Sequence, residues 1–563
     1  MKKICSILVI LFALGMNLTA QFVVEDVANV AVYEFLDEMA GEKFIELNSA
    51  VKPYSKEFIS DKLLELEAVK DQLNRRQQKE LAFFMKGYCL ERNELPQNAR
   101  WNLIKRNDIS LAVLPPAFYY KDSLFRARIN PILGVTAQHN ANGTPYQRYW
   151  GGEFIGMVGD NFAIYGSLRD NHLQKEIMAE PTYLTKTVGG AYKRTNDGKS
   201  ADFSEMRGGI TYAWKWGNLG LVKNHVIWGD NYNGSNILSG RTPSFPMIVF
   251  NIKPAKWFEL NYIHGFLTSN VIDSTDYYVG EDNELRYRYR NKYIAANMIT
   301  ITPVRGLNIG LGNSIVYAER SVKAGYLIPI MFYKSIDHSS TMGSENQNSQ
   351  MFLNLSSRNI KHLHLYASIF VDELSVERWF NDEHNFSSFK AGANLDNYPL
   401  KNLSVTGEYT YTLPITYKHR LLNTTFACND FGLGHYLGDN SRELYLAMTY
   451  KPFSTFHVKA SFSNAQHFND YPYLDGKTAI NTPVMQDKTW TNNTLSLDFR
   501  YLCLTNLYIN FGVSLTDIKG YDVKSKEEYN EIRLSSQEYL DLYTPKFYQG
   551  KNTNFNFGLN YYF

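Results

Sequence analysis

From about Asp108 to the last residue the chain alternates apolar and polar side chains with a period of two, and no other feature narrows its fold as much. Leu495, Leu497, Phe499 and Tyr501 alternate with Ser496, Asp498 and Arg500, and Leu507, Ile509, Phe511, Val513 and Leu515 alternate with Tyr508, Asn510, Gly512 and Ser514. Leu444, Leu446, Met448 and Tyr450 form a third set, and Phe456, Val458, Ala460 and Phe462 a fourth. Successive side chains of a strand point to opposite faces, so each set lays out one apolar face and one polar or small face. The sets at 444–450 and 456–462 leave room only for a tight turn at 451–455, whereas other connections, such as Gln466 to Asn493, are long. Short turns alternating with long loops over about 450 residues fit an up-and-down barrel better than a sandwich. At about 25 residues per strand and loop, the expected number is about 18 strands, and even.

Composition points the same way. The chain holds 40 Tyr and 34 Phe, yet its mean hydropathy is −0.33, as expected when only every second strand residue faces lipid. Beyond the first residues there is no apolar run of the roughly 18 residues that a membrane helix needs. A closed β-barrel remains as the way to span a bilayer, because it satisfies every backbone polar group between strands. At the other end, Lys2 and Lys3 precede the apolar stretch Ile4 to Leu14, which Asn17 and Thr19 close. This is the layout of a secretory signal peptide, with cleavage expected near Ala20/Gln21. Cys5 lies inside the apolar stretch and supplies no lipoprotein anchor. The last set, Phe555, Phe557, Leu559, Tyr561 and Phe563, resembles the aromatic terminal strand recognised in outer-membrane barrel assembly. The expected location is therefore the outer membrane of a Gram-negative bacterium.

Between these parts the period is helical. Val32, Phe35, Leu36 and Met39 recur at spacings of three and four, followed by Leu63, Leu66, Val69 and Leu73 and by Leu81, Phe84, Met85 and Tyr88. Pro53 separates two of the runs, and Ser55 ahead of Phe58 is a fair N-cap with Glu57 and Asp61 near the helix start. The spacing predicts two or three helices. The charged run Asn74 to Glu80 reads as a solvated helix face, or one facing the barrel or periplasmic water, rather than a nucleic-acid patch. The expected organisation is a signal peptide at 1–20, a periplasmic α-helical domain at 21–107 and an outer-membrane barrel at 108–563: a mainly β fold with a small helical lead.

The 58 Lys+Arg nearly balance the 56 Asp+Glu, so no strong field exists to attract nucleic acid. Cys89, Cys428 and Cys503 remain after cleavage; their spacing matches no zinc site, and it does not say whether two of them bridge. No HExxH, GxSxG or GxxxxGK[ST] motif occurs, so no catalytic residue, metal or cofactor is assigned. Asp372 and Glu373 are adjacent, which on a strand sends them to opposite faces and prevents them from flanking one substrate. The pair reads as one lumen-facing carboxylate beside a strand end. His362 and His364 would share a strand face and could chelate, but no acidic or Cys partner lies nearby in sequence.

Two kinds of segment remain as candidate binding surfaces. The loops Phe468 to Leu474 and Tyr539 to Tyr548 mix aromatic with polar side chains, which suits pyranose recognition, although aromatic girdles at the membrane interface account for similar residues. Near the centre, Gly229, Gly234 and Gly240 with Pro243 and Pro246 mark an irregular segment between strands. If it folds into the lumen, its backbone needs polar neighbours such as Asp230, Asn231, Asn233 and Arg241. Trp228, Asp230, Asn231, Asn233 and Arg241 are the candidate ligand-binding residues, and a structural plug is an equal alternative.

The segments YEFLDEMA, KPYSKEFI and NRRQQKELAFFMKGY within 32–88, Trp228-Gly-Asp-Asn continuing to NILSGRTPSFPMI at 236–248, YLIPIMFYKSIDH at 326–338, FVDEL at 370–374 and GLGHYLGDNSRELYL at 432–446 together resemble the capsule-assembly Wzi family of outer-membrane proteins, including its gliding-motility-associated RemB-type relatives. The resemblance implies a monomeric barrel of about 18 strands, a periplasmic helical bundle, and attachment or organisation of surface polysaccharide (capsule) by lectin-like binding without catalysis. The expected partners are outer-membrane lipid and that polysaccharide. The sequence departs from the commonly aligned Trp-Gly-Pro at Asp230, which restores a backbone N–H and adds a carboxylate. Two alternatives stand beside this reading. One is a porin-like channel; the other is a structural component of an assembly, secretion or gliding complex that binds envelope proteins through the N-terminal helices.

Overall fold

The computed structural model describes residues 22–94, 102–106, 108–112, 117–174, 177, 182–184, 193–194, 198–341, 346–381, 383–504 and 506–561. The leader expected at 1–20 and the terminal Tyr562 and Phe563 lie outside them. The chain forms a closed antiparallel barrel of 18 strands, each paired with the next in chain order. In sequence they are β1 (Phe125–His139), β2 (Tyr146–Val158), β3 (Phe162–Gln174), β4 (Ser200–Trp214), β5 (Gly217–Asn224) and β6 (Phe245–Ala255). They continue as β7 (Phe258–Leu267), β8 (Lys292–Val304), β9 (Leu307–Tyr317), β10 (Asn348–Ser357), β11 (Leu363–Glu373) and β12 (Phe386–Asp396). The last six are β13 (Leu403–Thr412), β14 (Ser441–Phe453), β15 (Phe456–Phe468), β16 (Lys488–Leu504), β17 (Leu507–Gly520) and β18 (Gly550–Tyr561).

The ring closes where β18 pairs with β1, from Phe555 opposite His139 to Asn560 opposite Gly134. The first half of β1 instead carries the strand Phe118–Lys121 and, beyond it, Ile109–Ala112 and Asn102–Lys105. Strand pairing thus begins a little ahead of the change expected at Asp108. The turn between β14 and β15 is as tight as its spacing implies. The connection expected from Gln466 to Asn493 is shorter, because β15 runs on to Phe468 and β16 starts at Lys488. The ladder continues past the end of the apolar alternation, where the outward residues are polar. All tight turns lie at one end of the barrel and the long loops at the other. The lipid face is as predicted: Leu495, Leu497, Tyr501, Phe511 and Leu515 are exposed outward.

Three helices cover the tight-turn end: α1 (Val30–Gly41), α2 (Lys56–Ala68) and α3 (Arg75–Met85). Val32, Phe35, Leu36 and Met39 of α1 are fully buried against Leu63, Leu66, Leu81 and Phe84, in one cluster with Leu502 and Tyr508 of the barrel. Ser55 caps α2 by accepting from the Phe58 N–H at 3.1 Å, and Asn74 with Gln77 forms a capping box on α3. The run Asn74 to Glu80 divides between the two faces expected of it: Arg75 and Lys79 are exposed, while Arg76, Gln77 and Glu80 are buried toward the barrel. Arg76 pairs with Glu38 and Glu80, and Lys451 of β14 reaches Glu38 at 3.0 Å and Glu80 at 3.3 Å. Four charges are thereby buried together, because a side chain from the barrel completes the balance that the helices alone lack. Glu34 adds an ion pair to Arg500 at 3.0 Å, and Asn397 donates to Glu38 at 2.8 Å.

Burial alone would raise the Glu38 carboxyl, but Lys451 and then Arg76 outweigh it and hold the group far below its ordinary value. A carboxyl depressed in the folded state stabilises that state fully above its unfolded value of 4.5, and the stabilisation is lost as pH falls through the folded value. Helix docking should therefore be intact at neutral pH and weaken only as pH drops below 4.5, measured as faster protease cleavage within 56–94. At neutral pH, Lys451→Met should weaken docking by about 3 kcal/mol, since it removes one cation from a buried cluster. The same proteolysis assay reads this, with the barrel retaining its heat-modifiable migration on gels. Unchanged cleavage would mean that the cluster does not anchor the helices.

Candidate functional site

The connection between β5 and β6 belongs to the long-loop end but descends into the lumen. Ile227–Trp228 forms a short antiparallel ladder with Leu238–Ser239 on one side and with Val51–Lys52, from the helical lead, on the other. Trp228 is fully buried, edge-on to Phe352 of β10 at 5.9 Å, in an apolar cluster with Ile237, Phe245, Met298, Phe370 and Phe426. Gly229 takes φ +98°, and a Cβ there would stand 2.8 Å from Ser235 Oγ, so this turn requires glycine.

Asp230 uses both groups that a proline would lack. Its N–H donates to Asn354 Oδ1 at 3.0 Å; its carboxylate accepts from Asn354 Nδ2 at 2.7 Å and from the Ser49 hydroxyl. Arg358 donates to Ser49 Oγ at 2.8 Å and also pairs with Asp37 of α1. The Tyr232 hydroxyl bonds Asp37 and lies 2.9 Å from His364 Nδ1. Burial would raise the Asp37 carboxyl, but Arg358, His364 and the Tyr232 hydroxyl together hold it below the ordinary range. Arg241 donates to the carbonyl oxygens of Tyr436 and, at 3.1 Å, Thr182, and burial lowers its pKa to about 10. The connection at 413–440 closes the segment from above: Ser239 N–H donates to the Leu433 carbonyl at 2.8 Å and Tyr417 OH to the Asn236 carbonyl at 2.8 Å.

Of the five residues singled out from sequence, Trp228, Asp230 and Arg241 are buried in these structural bonds, while Asn231 and Asn233 stand half-buried. Asn231 spans its own turn, donating to the Gly229 carbonyl at 2.7 Å and accepting from the Gly234 N–H at 3.3 Å. The structure thus brings the set together as a plug whose carboxylate is engaged by Ser49 and Asn354.

The other candidates separate. His362 takes φ +72° ahead of β11 and faces Tyr398, while His364 points into the lumen. Asp372 accepts from Gln350 at 3.0 Å, and Glu373 pairs with Arg378 at 2.6 Å. Cys89, Cys428 and Cys503 are free thiols. The aromatic loops fold inward: Tyr543 stacks on Tyr183 at 3.9 Å and donates to Asp470 at 2.8 Å, and Tyr471 and Tyr539 are buried.

The exposed aromatic surface lies elsewhere, on a hairpin of Ile272–Val279 and Leu285–Tyr289 between β7 and β8. The pairs Ile272/Tyr289, Tyr277/Tyr287 and Val279/Leu285 lie opposite each other on one face, with the Tyr277 and Tyr287 rings 6.2 Å apart. Arg286 and Arg288 occupy the other face, paired with Asp282 and, at 3.5 Å, with Asp276. The alternation Leu-Arg-Tyr-Arg-Tyr-Arg at 285–290 was the signal for it.

No protein-family model and no curated protein matches the chain. Among solved structures it is similar to Wzi, an outer-membrane protein involved in group 1 capsule assembly in Escherichia coli and described as a carbohydrate-binding β-barrel. That match has a TM-score of 0.54 at 10% identity and covers 97% of this chain and 100% of Wzi. Pseudomonas aeruginosa OccK8 (OprE) matches with a TM-score of 0.42 at 7% identity over 77% of this chain and 97% of its own. Acinetobacter baumannii OccAB4 gives 0.39 at 7% over 78% and 98%. The family resemblance carried by the motifs is therefore matched by the fold along nearly the whole chain.

Asn354→Leu should leave the Asp230 N–H and one carboxylate oxygen without a partner, at a cost of about 1–3 kcal/mol. Hydrogen exchange at 229–238 should then accelerate while β16 and β17 stay protected. Unchanged exchange at 229–238 would contradict the anchoring role.

Proposed function

We propose that this protein sits in the outer membrane of a Gram-negative bacterium, long loops outward and helices in the periplasm, and holds surface polysaccharide by non-covalent, lectin-like binding. The observation that carries the reading is the exposed tyrosine face of the hairpin at 272–289, on the side of the long loops. Pyranose rings stack on aromatic faces such as that of Tyr277, Tyr287 and Tyr289, while Arg286 and Arg288 lie on the opposite face of the same hairpin. The carbohydrate-binding description of Wzi, whose fold this chain shares, supports the same class of ligand. In this account Trp228, Asp230 and Arg241 set the plug beneath the loops, and Asn231 and Asn233 belong to its half-buried turn.

Protein inside the barrel weighs against the channel alternative: Trp228 and its apolar neighbours occupy the lumen beside β6–β11, and the helices pack at the tight-turn end. The protein-docking alternative keeps the outward sides of α2 and α3, where Arg75 and Lys79 are exposed, since α1 and the Arg76–Glu80 face of α3 turn to the barrel.

The test is binding of purified full-length protein in detergent to a panel of neutral and uronic-acid-containing capsular polysaccharides. Tyr287→Ala with Tyr289→Ala should weaken binding of the recognised polymer by about tenfold or more, equivalent to about 1.4 kcal/mol. A protein that binds none of them, or a double variant that binds as the parent does, would contradict the reading.

A further inference from the structure

The connection between β9 and β10 does not stay above the rim. Its 3-10 turn Ala324–Leu327 and the helix α4 (Tyr333–Thr341) fold over the outside of the wall, across β7, β8 and β9. The registers define that outer face. Ile263, Ile294, Ala296, Met298 and Val316 point inward, in the cluster of Trp228. Their neighbours Tyr262, Ala295, Ile315 and Tyr317 therefore point outward, and they are buried together with Tyr326 and Tyr333 of the connection.

Two asparagines share this outward face. Asn297 and Asn313 lie directly opposite each other, and Asn313 donates to Asn297 at 2.8 Å. Counted from their turn at Arg305–Gly306, they lie nearer the tight-turn end than the Leu495–Leu515 pair does from its own turn. Leu495 and Leu515 are each 52% exposed, so they still belong to the lipid-facing band. The asparagine pair is thus at hydrocarbon depth, where a polar outward side chain is costly unless it is bonded.

The connection supplies those bonds. Met331 O accepts from Asn297 at 2.8 Å and from Asn313 at 3.2 Å; the Tyr333 N–H donates to Asn313 Oδ1 at 3.0 Å; and Tyr262 OH donates to the Tyr326 carbonyl at 2.8 Å. Met331 N–H turns back to Ile328 O at 3.4 Å, and Pro329 has no N–H to satisfy. Irregular backbone is excluded from hydrocarbon where its polar groups would face lipid; here the Tyr326 and Met331 carbonyls and the Tyr333 N–H turn to the barrel. The side chains that turn away are Leu327, Ile328, Ile330, Met331 and Phe332, all exposed, Ile330 at 65%.

We propose that residues 324–333 form a membrane-embedded clasp, with the Leu327–Phe332 ridge inserted among the acyl chains of the leaflet on the long-loop side. The occupant is lipid because the ridge continues the lipid-facing surface of Ile299, Ile301 and Leu311 on the same strands, and because the exposed side chains of 327–332 are all apolar. The asparagine pair is the latch that holds it at depth.

The test is site-directed spin labelling of the full chain in phospholipid vesicles, in a Cys503→Ser background. Labels at Ile330→Cys, at Leu515→Cys (lipid control) and at Asp282→Cys (water control) are compared for collision with oxygen and with a water-soluble nickel chelate. The Ile330 label should match the Leu515 label, with a ratio of oxygen to nickel accessibility several-fold above that of the Asp282 label. Adding Asn313→Leu should move the Ile330 label toward the Asp282 value. A nickel-accessible Ile330 label in the parent overturns the proposal. So does exclusion of both reagents, which would mean that a protein surface covers the ridge, and so does an Asn313→Leu variant with unchanged accessibility.

Discussion

Everything in this molecule depends on one hydrogen-bonded seam, the pairing of β18 with the second half of β1. A sheet with open edges cannot lie in hydrocarbon, because each unpaired N–H and C=O would face lipid. Closure removes the edges and fixes the alternation of every strand, one residue to lipid and the next to the lumen. It also creates a second problem. A barrel of this strand number is too wide for its own inward side chains to fill, so the lumen must hold water or more protein.

The chain answers with protein drawn from both ends. The helical lead rises from the tight-turn end and contributes Val51–Lys52; the connection at 225–244 descends from the other and pairs with it at Ile227–Trp228. The connection at 413–440 lies over the latter. What holds the three together is a graded interior, an apolar cluster around Trp228 and a polar layer below it in which Asn354, Asp230, Ser49, Arg358 and Asp37 bond in sequence. Buried polar groups of this kind are stable only when each finds a partner, and that requirement ties helix, plug and wall into one unit. The same rule operates on the outer wall, where Asn297 and Asn313 are covered by the connection that satisfies them.

The barrel was legible because lipid imposes a strict code: Leu495, Leu497, Phe499 and Tyr501 must all be apolar, and a period of two survives no other demand so well. The irregular segment was legible from its glycines, prolines and lone tryptophan, and its two possible roles were both in view. Which role dominates depends on partners far away in sequence, Asn354 and Ser49 for Asp230 and Tyr436 for Arg241, and no local pattern announces them. The same distance hid the burial of Arg76 and Glu80, whose balancing charge sits on Lys451. Loop aromatics such as Tyr471 and Tyr543 could not be sorted from the exposed tyrosines of the hairpin, because composition is blind to whether a ring finds another ring to stack on. Asn297 and Asn313 read as ordinary polar members of an alternation until the register showed which way they point.

The function we propose requires a barrel that protein entering from both ends turns into a fixed outer surface and not a channel, and that is the central claim. The most direct measurement is single-channel recording of the intact protein in a planar bilayer. The account predicts incorporation without conductance steps, and steps that appear when residues 225–244 are replaced by a short flexible linker. Stable, ohmic steps from the intact protein would contradict it.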